Sequence, residues 1–251
     1  MKGGILSVKW LSITFFLVAL LISAIGAIRS SLLPEQEFLT STIIDDAVYY
    51  LIPAQNLLDG HGYSFDKIHK TNGVQPAWAA VALLIAVLCP DRLAAMRLLV
   101  LLGGLLWLSA GVLLFLTLYR RWPALSLVSS VVWLFTGFTH RLALQGMENG
   151  LTGFLLALMV WLGARFLHSR GPKPIWFYGV LGLVAAAVSL SRVEMIILPF
   201  LLTIATLFGV FDQSDRLRAF YRQAAAIACP TLLLFGAYIV INLVLPVLSL
   251  L

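Results

Sequence analysis

Two adjacent carboxylates, Asp45 and Asp46, open the segment Asp45-Asp46-Ala47-Val48-Tyr49-Tyr50. A carboxylate held within hydrogen-bond reach of a hydroxyl can take its proton as a general base. The segment continues through Gly60-His61-Gly62-Tyr63-Ser64-Phe65-Asp66 to Thr71-Asn72-Gly73-Val74-Gln75-Pro76-Ala77-Trp78, the longest stretch of the chain that is not membrane-like. Within it Lys67, Lys70, Asn72 and Gln75 follow the carboxylates. Basic groups beside a carboxylate pair can hold a phosphate, and an ordinary solvated loop has the same composition. Tyr49 and His61 are the other side chains of the segment placed to meet a substrate. Two later clusters carry charge at the ends of apolar runs: Arg141 with Glu148, and Arg192 with Glu194. Ionisable groups at such positions face a protein interior or a wet cavity.

Local signals say how the segment would be held. Ser41 or Thr42 is expected to cap a helix starting near Ile43, which puts Asp45 and Asp46 in its first turn, where the helix dipole favours anions. Capping charge alone would account for the pair equally well. Tyr49, Tyr50, Leu51, Ala54, Leu57 and Leu58 form an apolar stripe at helical spacing. Pro53 limits or kinks that helix, and Gly60 and Gly62 end it on either side of His61. Lys67 to Gln75 reads as a hairpin-like turn closed by Asn72-Gly73.

The rest of the chain reads as scaffold. It is 61% hydrophobic and 11% charged, with a mean hydropathy of +0.99, against about one quarter charged in soluble domains. A water-soluble core of this size could not hide so much apolar residue. The apolar runs are continuous rather than alternating, which excludes a barrel. The fold class is therefore all-α, a polytopic membrane helix bundle. The net charge of +6 comes from bases scattered between apolar runs, so it marks topology and not a nucleic-acid partner. Cys89 and Cys229 give no disulfide framework or metal spacing and read as small core hydrophobes.

Apolar runs fall at 10–28, 76–89, 93–119, 123–139, 149–167, 175–191, 193–211 and 223–248. The first, roughly 19 residues long, is read as an uncleaved span rather than a signal peptide. The run 76–89 is short for a hydrocarbon core of about 30 Å. If it crossed, Arg120, Arg121, Arg165, Arg170, Lys173, Arg216, Arg218 and Arg222 would lie opposite Lys2 and Lys9. If it lies at the interface, all of them share the cytoplasmic side, which the positive-inside rule favours. Trp78 suits such an interfacial helix. The expected topology is a single membrane domain over 1–251 with about seven spans (10–28, 93–119, 123–139, 149–167, 175–191, 193–211 and 223–245) and a cytoplasmic N-terminus. Residues 29–92 form a long outer loop with interfacial helices. The tips at His140–Glu148 and Ser191–Glu194 arrive on the same outer face.

The run from Asp45 through Gly60-His61-Gly62 to Thr71-Asn72-Gly73-Val74-Gln75-Pro76-Ala77-Trp78 resembles the first outer loop of the membrane glycosyltransferases of fold family C. That family includes the dolichyl-phosphate-mannose mannosyltransferase-like and aminoarabinose-transferase-like bacterial enzymes. Gly146-Met147-Glu148-Asn149 resembles their Gly-Met/Leu-Glu-Thr element, with Asn149 in place of Thr. Leu190-Ser191-Arg192-Val193-Glu194 resembles their Thr-Arg-Pro-Glu or Arg-Leu-Asp element, with Val193 in place of Pro or Leu. The resemblance covers about residues 10–245.

It implies a hexosyltransferase-like enzyme of the cell (inner or plasma) membrane that works on the outer face. The donor would be a sugar on a polyprenyl phosphate entering from membrane lipid. The acceptor, a glycan, lipid or protein, is not specified. The first-loop acid of the family falls on Asp45, with Asp46 as second candidate, as the base of an inverting single displacement. Tyr49, His61, Lys67, Lys70, Asn72, Gln75, Arg141, Glu148, Arg192 and Glu194 would line the substrate site. Some relatives bind a divalent cation at loop carboxylates; Asp45, Asp46 and Glu148 would be the ligands here, although no cofactor is clearly required. Relatives continue beyond the seventh span, so the resemblance also implies a C-terminally truncated or minimal member. Two other classes fit the composition. One is a non-catalytic fragment or lipid-binding subunit of a cell-envelope glycan pathway. The other is a secondary transporter, disfavoured because the charges gather at span ends and not at mid-membrane.

Overall fold

The computed structural model describes residues 2–71, 73–168, 174–198, 201 and 216–248. Among them the chain is helical, with one isolated antiparallel bridge, Ser64 to Lys70. The helices are α1 (Lys2–Ser31), α2 (Glu35–Glu37), a π-helical turn (Phe38–Thr42), α3 (Asp45–Leu58), α4 (Pro76–Leu88), α5 (Arg92–Leu118), α6 (Pro123–Phe135), α7 (Gly137–Ala143), α8 (Asn149–His168), α9 (Ile175–Ser191), a 3-10 turn (Val193–Ile196) and α10 (Arg216–Leu248). Among the described residues three stretches are long and apolar enough to cross a membrane: Val8–Ser31 (24 residues), Arg92–Leu118 (27 residues) and Arg222–Val240 (19 residues). Pro76–Leu88, Pro123–Phe135, Asn149–Arg165 and Ile175–Ser191 are shorter apolar helices. The 13 residues of α4 reach about 20 Å at 1.5 Å per residue, well under the ~30 Å of a bilayer core.

The chain divides into two compact units, Met1–Val74 with Trp78–Trp161, and Gln75–Ala77 with Leu162–Leu251. In the first unit α1, α5 and α6 pack together. Phe16 stacks on Phe115 at 4.1 Å and Trp107 on Trp133 at 3.9 Å between ring centroids; offset stacking of this kind adds to simple burial. Small residues let backbones meet. A Cβ at Gly111 would lie 2.8 Å from Leu134, and one at Gly150 would strike the Gly103 backbone. Such close approaches drive helix association where no water is expelled. Outward, α1 shows Trp10, Leu11, Leu17 and Leu21, all more than half exposed. A contiguous apolar face of that size is made for lipid.

Beside these helices a second core forms around Trp78, Phe38 and Leu51, none of them exposed at all. Trp78 is fully buried and is not the interfacial anchor that the sequence suggested. Its indole N–H donates to the Gly146 carbonyl at 2.8 Å, so burial is tolerated because its one polar group is satisfied. The expected cap by Ser41 or Thr42 also differs. Ser41 hydroxyl donates back to the Glu37 carbonyl at 2.6 Å, the chain passes through the π-helical turn, and α3 begins at Asp45 after an extended Ile44 with no side-chain cap. Ser bonding to the carbonyl four residues back competes with capping. The expected run 123–139 breaks at Thr136 (ψ 102), and His140 and Arg141 end the separate helix α7.

In the second unit α9 packs on α10 through Gly182, where a Cβ would lie 2.6 Å from the Ile227 carbonyl oxygen. Arg192 takes an extended conformation that ends α9. The expected run 193–211 starts as the 3-10 turn, and its remainder lies largely outside the described residues, as do Arg170 and Lys173. Cys229 is exposed on α10 rather than in a core.

Arg97 ties the end of α1 to α5. Its guanidinium donates to the Ser31 carbonyl at 2.9 Å and the Leu33 carbonyl at 2.7 Å and sits 5.0 Å over the Phe38 ring. It satisfies carbonyls that a helix end leaves orphaned, with cation–π contact besides. Arg97→Met should destabilise the first unit by about 2 kcal/mol, the scale of a lost hydrogen bond to a charged group. Denaturant titration in detergent checks this, and Arg97→Lys should recover only part of the loss.

Candidate functional site

Asp45 and Asp46 occupy the first turn of α3, as the sequence implied, and both are exposed. Side chains four apart share a helix face, so the two carboxylates look onto different neighbours. Asp46 stands one turn from Tyr50. The Tyr50 hydroxyl is buried and donates to Glu148 Oε2 at 2.7 Å, and Glu148 itself is only 1% exposed. Between them Ala47, fully buried, rests against Gly146, where a Cβ would lie 3.3 Å from the Ala47 methyl. Gly146 has φ +78, a left-handed conformation that side chains resist. That turn reverses the chain between α7 and α8 and aims Glu148 back at α3. Two of the three sequence elements singled out above therefore meet in space.

Asp45 stands one turn from Tyr49, and here the loop after α3 returns. The Asn56 side chain donates to the carbonyls of Ser64 (2.8 Å) and Phe65 (3.2 Å). The loop folds back so that Phe65 stacks on Tyr49 at 4.6 Å. Of the expected apolar stripe, Tyr50, Leu51 and Ala54 are buried while Tyr49, Leu57 and Leu58 are exposed, so the stripe divides between core and loop support. The loop tip is built by Asp66. The Asp66 carboxylate accepts the Ile68 N–H at 2.9 Å and the His69 N–H at 2.7 Å, and pairs with His69 Nδ1 at 2.6 Å. The His69 side chain and these two N–H donors hold the Asp66 carboxyl well below the usual carboxylate range. Lys67 follows at φ 66. Lys67, Lys70 and His61 are all exposed around this tip, and the bridge of Ser64 to Lys70 fixes its two arms. Tyr63 is the opposite case: its hydroxyl is buried without a hydrogen-bond partner, and burial pushes the phenol up to about 12. Asn72 lies outside the described residues.

Arg141 opens on a different space, a cleft of about 250 Å³ shared with Ser30, Leu33, Ser41, Thr42, His140 and Leu144. Burial lowers the His140 imidazole below its ordinary value, which favours its neutral form. In the second unit Arg192 Nε pairs with Glu194 Oε1 at 3.0 Å. Gln75 Oε1 accepts the Val193 N–H at 3.1 Å, so the Gln75 carbonyl serves the backbone of that turn.

The divalent-ion reading of Asp45, Asp46 and Glu148 fits poorly. One Glu148 oxygen is taken by Tyr50, and both aspartates stand exposed. Among the described residues no three His, Cys, Asp or Glu side chains gather closely enough to hold an ion. Sequence reasoning placed Tyr50 only in an apolar stripe and left Arg97 unnamed among the scattered bases that mark topology. Tyr50's partner is 98 residues away, beyond any local pattern.

Tyr50→Phe should destabilise the first unit by about 1–3 kcal/mol, because it strips a donor from a buried carboxylate. Glu148→Gln should soften that loss. A double-mutant cycle on Tyr50→Phe and Glu148→Gln, read by denaturation in detergent, should give a coupling of about 1 kcal/mol or more.

Comparison of this chain with models of known protein families, with characterised proteins and with solved structures returns no significant match.

Proposed function

We propose that the chain is a membrane glycosyltransferase that moves a sugar from a polyprenyl-phosphate donor to an acceptor on the outer face of the membrane. The reading rests on the three sequence elements. One observation carries it furthest: the Asp45-Asp46 turn and the Gly146-Met147-Glu148 turn, separated in sequence, are packed together through Ala47 on Gly146 and Tyr50 on Glu148. In this reading about seven segments span the cell membrane, the N-terminus is cytoplasmic, and the Asp45 loop is external.

The chemistry is a single displacement. The acceptor hydroxyl attacks the anomeric carbon, its proton passes to Asp45, and the bond from that carbon to the phosphate oxygen breaks. The polyprenyl phosphate leaves with the electron pair, and configuration inverts. One base is enough, and the leaving phosphate needs cations and not an acid. Asp45 is solvent-facing and free to approach an acceptor. Asp46, beside the Tyr50–Glu148 pair, acts as the orienting carboxylate. Phe65 stacks on Tyr49, one turn after Asp45, and Lys67 and Lys70 of the same loop would receive the phosphate. Arg192 and Glu194 supply the third element.

The decisive assay is transfer from a labelled polyprenyl-phosphate sugar in proteoliposomes, with a membrane extract supplying lipid, glycan and protein acceptors. Asp45→Asn should lower turnover by about 10²–10⁴-fold, the contribution of a positioned base, while melting temperature holds. Asp46→Asn should cost less turnover and raise KM. Unchanged transfer in Asp45→Asn, with folding intact, would remove Asp45 as the base, and no transfer by the wild type would leave a non-catalytic lipid-binding subunit as the better reading. Lys67→Cys should label with a membrane-impermeant thiol reagent from the outside of intact cells, and labelling only from the cytosol would end the proposal.

A further inference from the structure

A groove and a cleft follow one another along α1 in the first unit. The groove, about 420 Å³, runs between α1 and α6 and is lined by apolar groups including Phe15, Val18 and Ile22 from α1 and Val128, Val131 and Phe135 from α6. Most of these side chains are near half exposed, so the groove opens outward. The cleft lies further along the same two runs of chain, where Ser30 of α1 meets His140 and Arg141 of α7. Gly26 sits midway on α1, on the helix face that carries Ile22 and Ser30, and a Cβ there would lie 4.0 Å from the His140 ring. From Phe15 to Ser30 the seam is about 22 Å long at 1.5 Å per residue. One leaflet of a ~30 Å hydrocarbon core is about 15 Å deep. The apolar part, Phe15 to Ile22, is about 10 Å long and fits within the acyl depth of one leaflet, which would put the polar end near headgroup level.

The polar end is chemically selective. Among the described residues no carboxylate pairs with the Arg141 guanidinium, and it is the one charged side chain lining the cleft. The hydroxyls of Ser30, Ser41 and Thr42 share the cleft; that of Ser41 already donates to Glu37. His140 is held toward its neutral form, so the cleft presents a single positive charge with hydroxyls around it. That charge matches one phosphodiester and no more, and hydroxyls suit a hydroxylated head.

We propose that the α1/α6–α7 seam binds one anionic phospholipid, with an acyl chain in the groove and a glycerol-type phosphodiester head at Arg141. The site is separate from the Asp45 turn and stands whether or not the chain transfers sugar.

The test uses the full chain purified in neutral detergent and exchanged into nanodiscs of equal phosphatidylglycerol and phosphatidylcholine with matched acyl chains. Retained lipid is read by native mass spectrometry. Phosphatidylglycerol should be retained about five-fold over phosphatidylcholine, the factor one cation contributes near an anionic lipid head. Arg141→Gln should bring that ratio to about one, while Arg92→Gln, outside the seam, should leave it unchanged. Val131→Trp fills the groove and should reduce retention of both lipids. It decides the matter if Arg141→Gln does not fold. Equal retention of the two lipids by the wild type, a ratio indifferent to Arg141→Gln, or retention indifferent to Val131→Trp would each overturn the proposal. So would displacement of phosphatidylglycerol by inorganic phosphate alone, which would make the cleft a free-anion site. Preferential displacement by polyprenyl phosphate would assign the seam to that lipid instead and would equally overturn it.

Discussion

A buried carboxylate in apolar surroundings is tolerable only when donors meet it, and Glu148 sets that condition for everything near Asp45. Its partner Tyr50 comes from α3. For the pair to meet, α3 must lie flat against the turn before α8, and that is possible because Ala47 and Gly146 are both small. Trp78 closes the arrangement from α4 by donating to the Gly146 carbonyl. Three distant pieces of chain are thereby pinned at one turn, and the orientation of the exposed carboxylates follows from that pinning and not from any cap of their own.

The second constraint is the end of α1. A helix that stops inside an apolar environment leaves carbonyls without partners. Arg97 answers two of them, at Ser31 and Leu33, while its plane rests on Phe38. Phe38 belongs to the same buried cluster as Trp78 and Leu51. The guanidinium therefore links the long apolar helices to the core that carries α3, and a residue that looked like a topology charge is a structural tie.

Much of this was legible in the chain itself. Composition and run length pointed to an all-helical fold with apolar helices, and the boundaries at Ser191 and near Asn149 and Ile175 fall where periodicity and charge said they would. Asp45 and Asp46 do open a helix, and Gly60 and Gly62 do take positive φ at its far end. Polar groups with two possible local partners were harder to read. Ser41 had a choice between capping forward and bonding backward, and it bonds backward. Asp66 builds the loop tip because its carboxylate reaches two backbone N–H groups and an imidazole at once. Long-range partners such as Tyr50 with Glu148, or Arg97 with Leu33, leave no periodic trace. Arg192 and Glu194 satisfy each other within one turn, which spacing alone could not distinguish from two groups facing a substrate.

The left-handed turn at Gly146 makes its codon one of the least forgiving in the chain. A methyl group added there would meet strained backbone and the Ala47 side chain together. The damage would spread outward, because the same displacement would pull Tyr50 from Glu148 and lift the Trp78 acceptor away. Random drift can wander over the lipid-facing surface of α1, where one aliphatic side chain serves as well as another. At position 146 it has nowhere to go, and a catalogue of tolerated variants should show glycine alone in that column.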